Sequence, residues 1–191
     1  MVDGVARVAK DATTACLLIH GFCAYSDEMG TLGEYLRDNG VSSFALNRPG
    51  HSTSPEDLQS VRHEDWTSAV SDGLELVKSW GSRNVLVVGF SLGGALALQC
   101  ASRDNTLAGC VVISPALWVG GPLANAVPLL KHIVRWRNVD TEAIDRTYGY
   151  DVQRTKYGRE PMAATDQVLR LAAHIRTFLP TVTVHSWLDR V

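Results

Sequence analysis

The chain has 191 residues, 46% of them hydrophobic and 20% charged, with a formal net charge of -2. That length suits one domain with room for a small insertion, and so balanced a charge leaves no footprint for a nucleic-acid or anionic-membrane partner. No apolar run approaches the ~18 residues of a membrane span, and Met1 to Val5 carries no basic segment ahead of an apolar one, so neither stable membrane insertion nor a signal peptide is expected.

Val5 to Ala9 reads as a marginal edge strand. Ala15 to Ile19 is a continuous apolar run, as expected of a strand buried on both faces of a parallel sheet, and it ends in His20-Gly21-Phe22. Asp27 to Asn39 has Met29, Leu32, Tyr35 and Leu36 at helical spacing, with Gly40 as the stop. Ser43 to Leu46 is a second strand, followed by the turn Asn47-Arg48-Pro49-Gly50-His51-Ser52 and a polar loop over 53–63. Glu64 or Asp65 is expected to cap a helix whose buried face is Trp66, Ala69, Val70, Gly73, Leu74 and Val77, ending near Gly81.

Next comes the stretch around which the rest is arranged. Val85 to Val88 runs into Gly89-Phe90-Ser91-Leu92-Gly93, and an Ala/Leu-rich helix continues to about Arg103. Strand, Gly-x-Ser-x-Gly and helix together describe a nucleophile elbow. Ser91 sits at the apex of a sharp turn, Gly89 and Gly93 stand where a Cβ would collide with a neighbouring strand or helix, and the Leu92 N–H at the helix start faces the group that Ser91 attacks. A glycine-containing turn that merely opens a buried helix is the plainer account, and the flanking strand and helix argue against it. Ala108 to Ile113 is a further buried strand. The alternation of strand and helix predicts a doubly wound, mostly parallel α/β sheet.

After Ser114-Pro115 the pattern changes. Residues 116–165 hold apolar positions from Trp118 to Trp136, broken by Gly, Pro and charge, with no obvious strand, and read as a small helical cap insertion or a helix pair covering the sheet. Arg159 to Phe178 becomes helical again, and Thr181 to His185 is a β-branched strand leading to Ser186-Trp187-Leu188-Asp189-Arg190-Val191. The four cysteines are scattered: Cys16 and Cys110 in strand patterns, Cys100 in a helix, Cys23 in a loop. They read as reduced core or loop residues of a cytosolic protein, and as neither a disulfide framework nor a metal site.

Acyl transfer on Ser91 needs an oxyanion hole, an acid and a base. Leu92 supplies one N–H. The His20-Gly21-Phe22 loop is placed to supply the second from Phe22, with His20 supporting the loop and not acting as base. Asp189, four residues past the strand 181–185, has the position of the acid that follows the nucleophile in this chain order. The base should follow Asp189, where only Arg190 and Val191 remain; His20, His51, His63, His132, His174 and His185 all precede it.

Leu17 to Phe22, the Arg48-Pro49-Gly50-His51-Ser52 turn, Asp65-Trp66, the elbow, the insertion after Ser114-Pro115 and the segment from Pro180 to Val191 together resemble the α/β-hydrolase superfamily, and within it the bacterial carboxylesterases and monoacylglycerol lipases. The resemblance spans nearly the whole chain. It implies Ser91 as nucleophile, Asp189 as acid, Phe22 and Leu92 as oxyanion donors, and residues 116–165 as a cap over an acyl pocket in which Trp118 takes part. The expected activity is hydrolysis of small apolar carboxylic esters through an acyl-enzyme, with no metal or organic cofactor and a small-molecule ester as partner. The family's Arg-Gly-His-Gly turn is Arg-Pro-Gly-His here. Family members continue past the acid with a helix, a last strand and the catalytic histidine, so the chain reads as one lacking its last strand and helix, with strand 181–185 left as an apolar edge open to self-association. The alternative is a crippled hydrolase that acts as a non-catalytic binding protein.

Overall fold

The computed structural model describes residues 2–118, 124–140 and 156–178. Strand 181–185, His185 and Asp189 lie outside the described residues, as do 119–123 and 141–155 of the expected cap.

The centre of the fold is β2 (Thr14–Ile19), bordered on both sides by parallel neighbours, β3 (Ser42–Leu46) and β4 (Asn84–Phe90). The sheet order is β1-β3-β2-β4-β5, with β1 (Gly4–Arg7) antiparallel on the β3 edge and β5 (Gly109–Ile113) parallel to β4. Strand periodicity divides β2 between two cores. Ala15, Leu17 and Ile19 face one cluster with Trp66, Val70, Leu74, Leu92 and Leu96, while Cys16 and Leu18 face the other with Met29, Ala45 and Val88. Helices therefore cover both faces, as the continuous apolar run of β2 requires.

The helix expected over 27–39 is a 3-10 turn, Ser26–Met29, leading into α1 (Gly30–Asp38). The loop expected over 53–63 contains a short helix, α2 (Pro55–Gln59): Ser54 caps it through Asp57 N, Pro55 opens it, and Glu56 and Asp57 complement its N-terminal dipole. In α3 (His63–Ser79) the N-cap is Arg62 and not an acidic residue; Asp65 is one turn in, where its carboxylate accepts from the Arg62 N–H at 2.8 Å. The elbow helix α4 (Leu92–Arg103) runs to the expected residue. β5 is less buried than its sequence suggests, with Val111 and Ile113 at 46% and 44% exposure; among the described residues it is one of the sheet's two outer strands.

Beyond β5, a 3-10 turn (Ala124–Ala126) and α5 (Val127–Leu130) precede two short antiparallel strands, β6 (Trp136–Asn138) and β7 (Arg159–Pro161). The expectation of a strandless insertion is thus corrected. The helix expected from Arg159 starts at Met162 as α6 (Met162–Phe178), its first three residues being drawn into β7 by pairing with Trp136–Asn138. α6 buries Val168, Leu171 and Ile175 in the larger core. Its Asp166, 1% exposed, is held by Lys131 at 2.6 Å and Arg170 at 2.8 Å, which ties α5 to α6. Among the described residues no helix is long and apolar enough to cross a membrane.

Candidate active site

Ser91 has φ 53° and ψ −115°, a left-handed conformation that strains a non-glycine residue and persists only where its surroundings over-determine it. Here they do. The Ser91 N–H donates to Ile113 O at 2.9 Å, extending the β4–β5 ladder past the strand end. Its carbonyl accepts from Ala95 N at 3.2 Å, the first turn of α4, and from Ala116 N at 2.9 Å, the chain just leaving β5. The glycines supply the room. A Cβ on Gly89 would lie 2.1 Å from Gly93 O, and a Cβ on Gly93 would lie 2.1 Å from Ile19 O and 2.5 Å from His20 O. α4 therefore starts in backbone contact with the end of β2, where the His20-Gly21-Phe22 loop begins.

The structure brings together the two expected donors and the expected nucleophile. Phe22, Ser91 and Leu92 line one cavity of about 240 Å³, with Ala116, Thr165 and Val168 and with Arg137, Lys156 and Glu160. Arg137 and Glu160 are cross-strand partners in β6 and β7 and form an ion pair. Lys156 lies 3.3 Å from Glu28. This charged wall was not legible beforehand. Its residues lie in an insertion whose alignment with the sheet no spacing rule predicts.

Trp118 is where the structure departs from expectation. Ala116 is tied to Ser91 O, Leu117 turns inward, and Trp118 turns out to 80% exposure, with the Arg176 guanidinium 4.3 Å over its ring. It does not line the cavity. Asp189, the expected acid, lies outside the described residues.

The loop carrying Phe22 is fastened from several directions. Gly21 N donates to Glu28 Oε2 at 2.7 Å. Arg48 Nη2 donates to Gly21 O at 2.7 Å and to His20 O at 2.9 Å. Tyr157 N donates to Cys23 O at 3.0 Å, while the Tyr157 hydroxyl donates to Gly50 O at 3.0 Å and accepts from Thr53 N at 3.1 Å. The residue after Lys156 thus joins the Phe22 loop to the Arg48–Ser52 turn. Cys23 is 2% exposed at φ 56°, and burial, followed by the charge of Glu160, pushes its thiol far above the ordinary range. That burial supports the reading of a small loop residue over a redox role.

His20 and His51 are both buried, their rings 5.1 Å apart edge to face. His51 Nδ1 donates to Pro49 O at 3.1 Å, and Trp66 Nε1 donates to the same oxygen at 3.2 Å. Burial first, then the Arg48 charge, drives both imidazoles well below the usual histidine range. Rings buried in this way, with Nδ1 of each on a backbone oxygen, suit support of the loops.

Comparison with known proteins places the chain. The serine aminopeptidase, S33 (Hydrolase_4) family matches residues 10–191, and the chain belongs to that family of α/β-hydrolases. It is 38% identical over 90 residues to a carboxylesterase of Bacillus subtilis (strain 168), covering 47% of this chain and 37% of that protein. It is 27% identical over 179 residues to the thermostable monoacylglycerol lipase of Bacillus sp. (strain H-257), covering 91% of this chain and 68% of the lipase. A solved structure from work on the metagenome-derived lipolytic enzymes LipS and LipT superposes with a TM-score of 0.80 at 21% identity, over 93% of this chain and 71% of that one. Monoacylglycerol lipase from Paleococcus ferrophilus gives 0.66 at 17% identity, over 93% and 72% of the two chains. The family match places the chain among the S33 α/β-hydrolases, and the solved structures share its fold. The chain spans about a third of the first relative's length and about two thirds of the second's.

Proposed function

We propose that the protein is a serine hydrolase of small carboxylic esters, acting through an acyl-enzyme on Ser91. The observation that carries this reading is the single cavity onto which Ser91, Phe22 and Leu92 all open, at the apex of a strained elbow. Ser91 Oγ attacks the ester carbonyl, and the electron pair displaced onto oxygen is met by the N–H groups of Phe22 and Leu92, neither of which donates to another described residue. The base that takes the serine proton and passes it to the departing alkoxide is a histidine oriented by Asp189, which the family's chain order places after that acid, a place none of the six histidines of this sequence holds. Water then repeats the sequence and releases the acid. Residues 116–165 serve as the cap within a single domain, 1–191; Ala116, Arg137, Lys156 and Glu160 already reach the cavity wall. The free cysteines accord with a cytosolic enzyme.

The wall suggests the substrate. Val168, Ala116, Phe22 and Leu92 offer an apolar side for an acyl chain, and Arg137, Lys156, Glu160 and Thr165 offer a polar side for hydroxyls on the alcohol. The polar side suits the hydroxyls of a small polyol such as glycerol. The monoacylglycerol lipases among its relatives point the same way.

The test is steady-state hydrolysis of p-nitrophenyl butyrate and monobutyrin by the full-length protein and its Ser91→Ala variant. Loss of the nucleophile in a serine protease costs about 10⁶ in kcat, so the variant should fall to background on both esters. Equal rates for wild type and variant would leave a binding protein with a hydrolase fold.

A further inference from the structure

The Phe22 N–H and the Gly21 C=O belong to the same peptide group. That group is planar and trans, so whatever holds the oxygen also aims the N–H. Arg48 Nη2 holds the oxygen at 2.7 Å, with His20 Nδ1 beside it at 2.9 Å, and also binds the preceding carbonyl, His20 O, at 2.9 Å. On the other side of Gly21 its own N–H is held by Glu28 Oε2 at 2.7 Å. One residue of the loop is therefore gripped at both ends by charged side chains from different elements, the turn after β3 and the 3-10 turn before α1.

Stability alone is a poor reason for this arrangement. Arg48 is 1% exposed, and its Nε and Nη1 have no hydrogen-bond partner among the described residues. Burial lowers its pKa, while the Glu28 charge works in the opposite direction. Desolvating a guanidinium and leaving donors unpaired opposes folding, and apolar residues of similar volume often replace buried charges at no loss. What the apolar residue cannot do is bind a carbonyl. A charged donor on Gly21 O draws electron density from the peptide and strengthens its N–H as a donor, because hydrogen bonds in a chain polarise one another.

We infer that Arg48 is a positioning residue of the oxyanion hole: its paired hydrogen bonds to His20 O and Gly21 O aim and polarise the Gly21–Phe22 peptide toward the oxygen that becomes negative during acyl transfer. The inference rests on the reading of Ser91 as nucleophile and needs no bond made or broken at Arg48. Because the hole is engaged most strongly after charge has moved to oxygen, loss of Arg48 falls on the transition state and spares ground-state binding.

The experiment compares wild type, Arg48→Met, Arg48→Lys and Ser91→Ala in the full-length protein. It measures kcat and KM for p-nitrophenyl butyrate, the affinity of butylboronic acid, whose tetrahedral adduct on serine places an oxygen in the hole, and Tm. Removal of a whole oxyanion donor costs about 10²–10³ in kcat. A misaimed donor should cost part of that. Arg48→Met is expected to lose about ten- to a hundredfold in kcat with KM within about twofold, and the boronate should weaken by a similar factor. Arg48→Lys should recover part of both losses. Wild-type kcat and boronate affinity in a folded Arg48→Met would overturn the inference, as would a loss confined to Tm. If Arg48→Met does not fold, Arg48→Lys carries the test: parallel partial losses in kcat and boronate affinity support the inference, and a change in Tm alone overturns it. Wild-type turnover in Ser91→Ala overturns the site reading and this inference together. An inactive Ser91→Ala beside an unimpaired Arg48→Met overturns this inference alone.

Discussion

Replacing Gly93 by alanine puts the elbow's packing under direct strain. The new Cβ would lie 2.1 Å from Ile19 O and 2.5 Å from His20 O, both backbone atoms at the end of β2 that cannot rotate away. Carbon and oxygen in close contact sit at about 3.3 Å, so α4 and β2 must part by roughly 1 Å. Overpacking of this kind costs about 1–3 kcal/mol, and each kcal/mol moves Tm by about 2–4 °C for a domain of this size. The catalytic effect should exceed the loss of stability. The displaced backbone carries Ser91 and the Leu92 N–H on one side and leads into Phe22 on the other, and a 1 Å misplacement can cost about 10²-fold in rate. The assay is kcat for p-nitrophenyl butyrate at a temperature well below the variant's own Tm. Gly158→Ala serves as control, since a Cβ there meets nothing within 4 Å. A Gly93→Ala enzyme with wild-type kcat and Tm would refute the claim that glycine is required by this contact.

Other consequences are simpler to check. Asp104 is bound by Lys78 at 2.5 Å and by Thr106 Oγ1 and N at 2.6 and 2.9 Å, which lower its pKa to about 2. A depressed carboxylate contributes stability that is whole above its unfolded pKa, near 3.9, and is lost as pH falls toward the folded value. Denaturant unfolding should therefore show wild type losing its advantage over Asp104→Asn between about pH 4 and pH 2, and an unchanged difference across that window would contradict the assignment. Burial raises Cys16 to about 11 and Cys23 further still. In native protein at pH 8 both should resist Ellman's reagent and react only on denaturation, whereas rapid native labelling of Cys23 would place it in an open, reactive setting.

The parts of the fold legible beforehand were those with one strong periodic or steric signal. β2 announces burial on both faces through five consecutive apolar residues, and the elbow announces itself because only glycine fits at 89 and 93 between strand and helix. The helix α2 was also signalled, by Ser54 before Pro55 and two acids, but is too short for an apolar stripe to reveal it. The β6–β7 ribbon gave no comparable signal. Three-residue strands carry no period, and their pairing of Trp136–Asn138 with Arg159–Pro161 joins residues more than twenty apart. For the same reason no sequence signal puts Arg137, Lys156 and Glu160 at the cavity. Trp118 misled because an aromatic residue just after β5 suits a pocket as well as a surface, and what decides is the alternation set by the Ala116–Ser91 hydrogen bond. In the sequence Arg48 and His51 show only as members of a turn. His51 is packed by Trp66 and Phe22, and Arg48 bonds His20 and Gly21, all from distant parts of the chain.

The central claim, that Ser91 is an activated nucleophile, is tested most directly by intact-protein mass spectrometry after treatment with a fluorophosphonate, followed by peptide mapping. The account predicts one adduct per chain, on Ser91, blocked by Ser91→Ala and slowed in Arg48→Met, since phosphonylation also develops negative charge on oxygen. An adduct on another residue, or a folded protein that takes none, would contradict it.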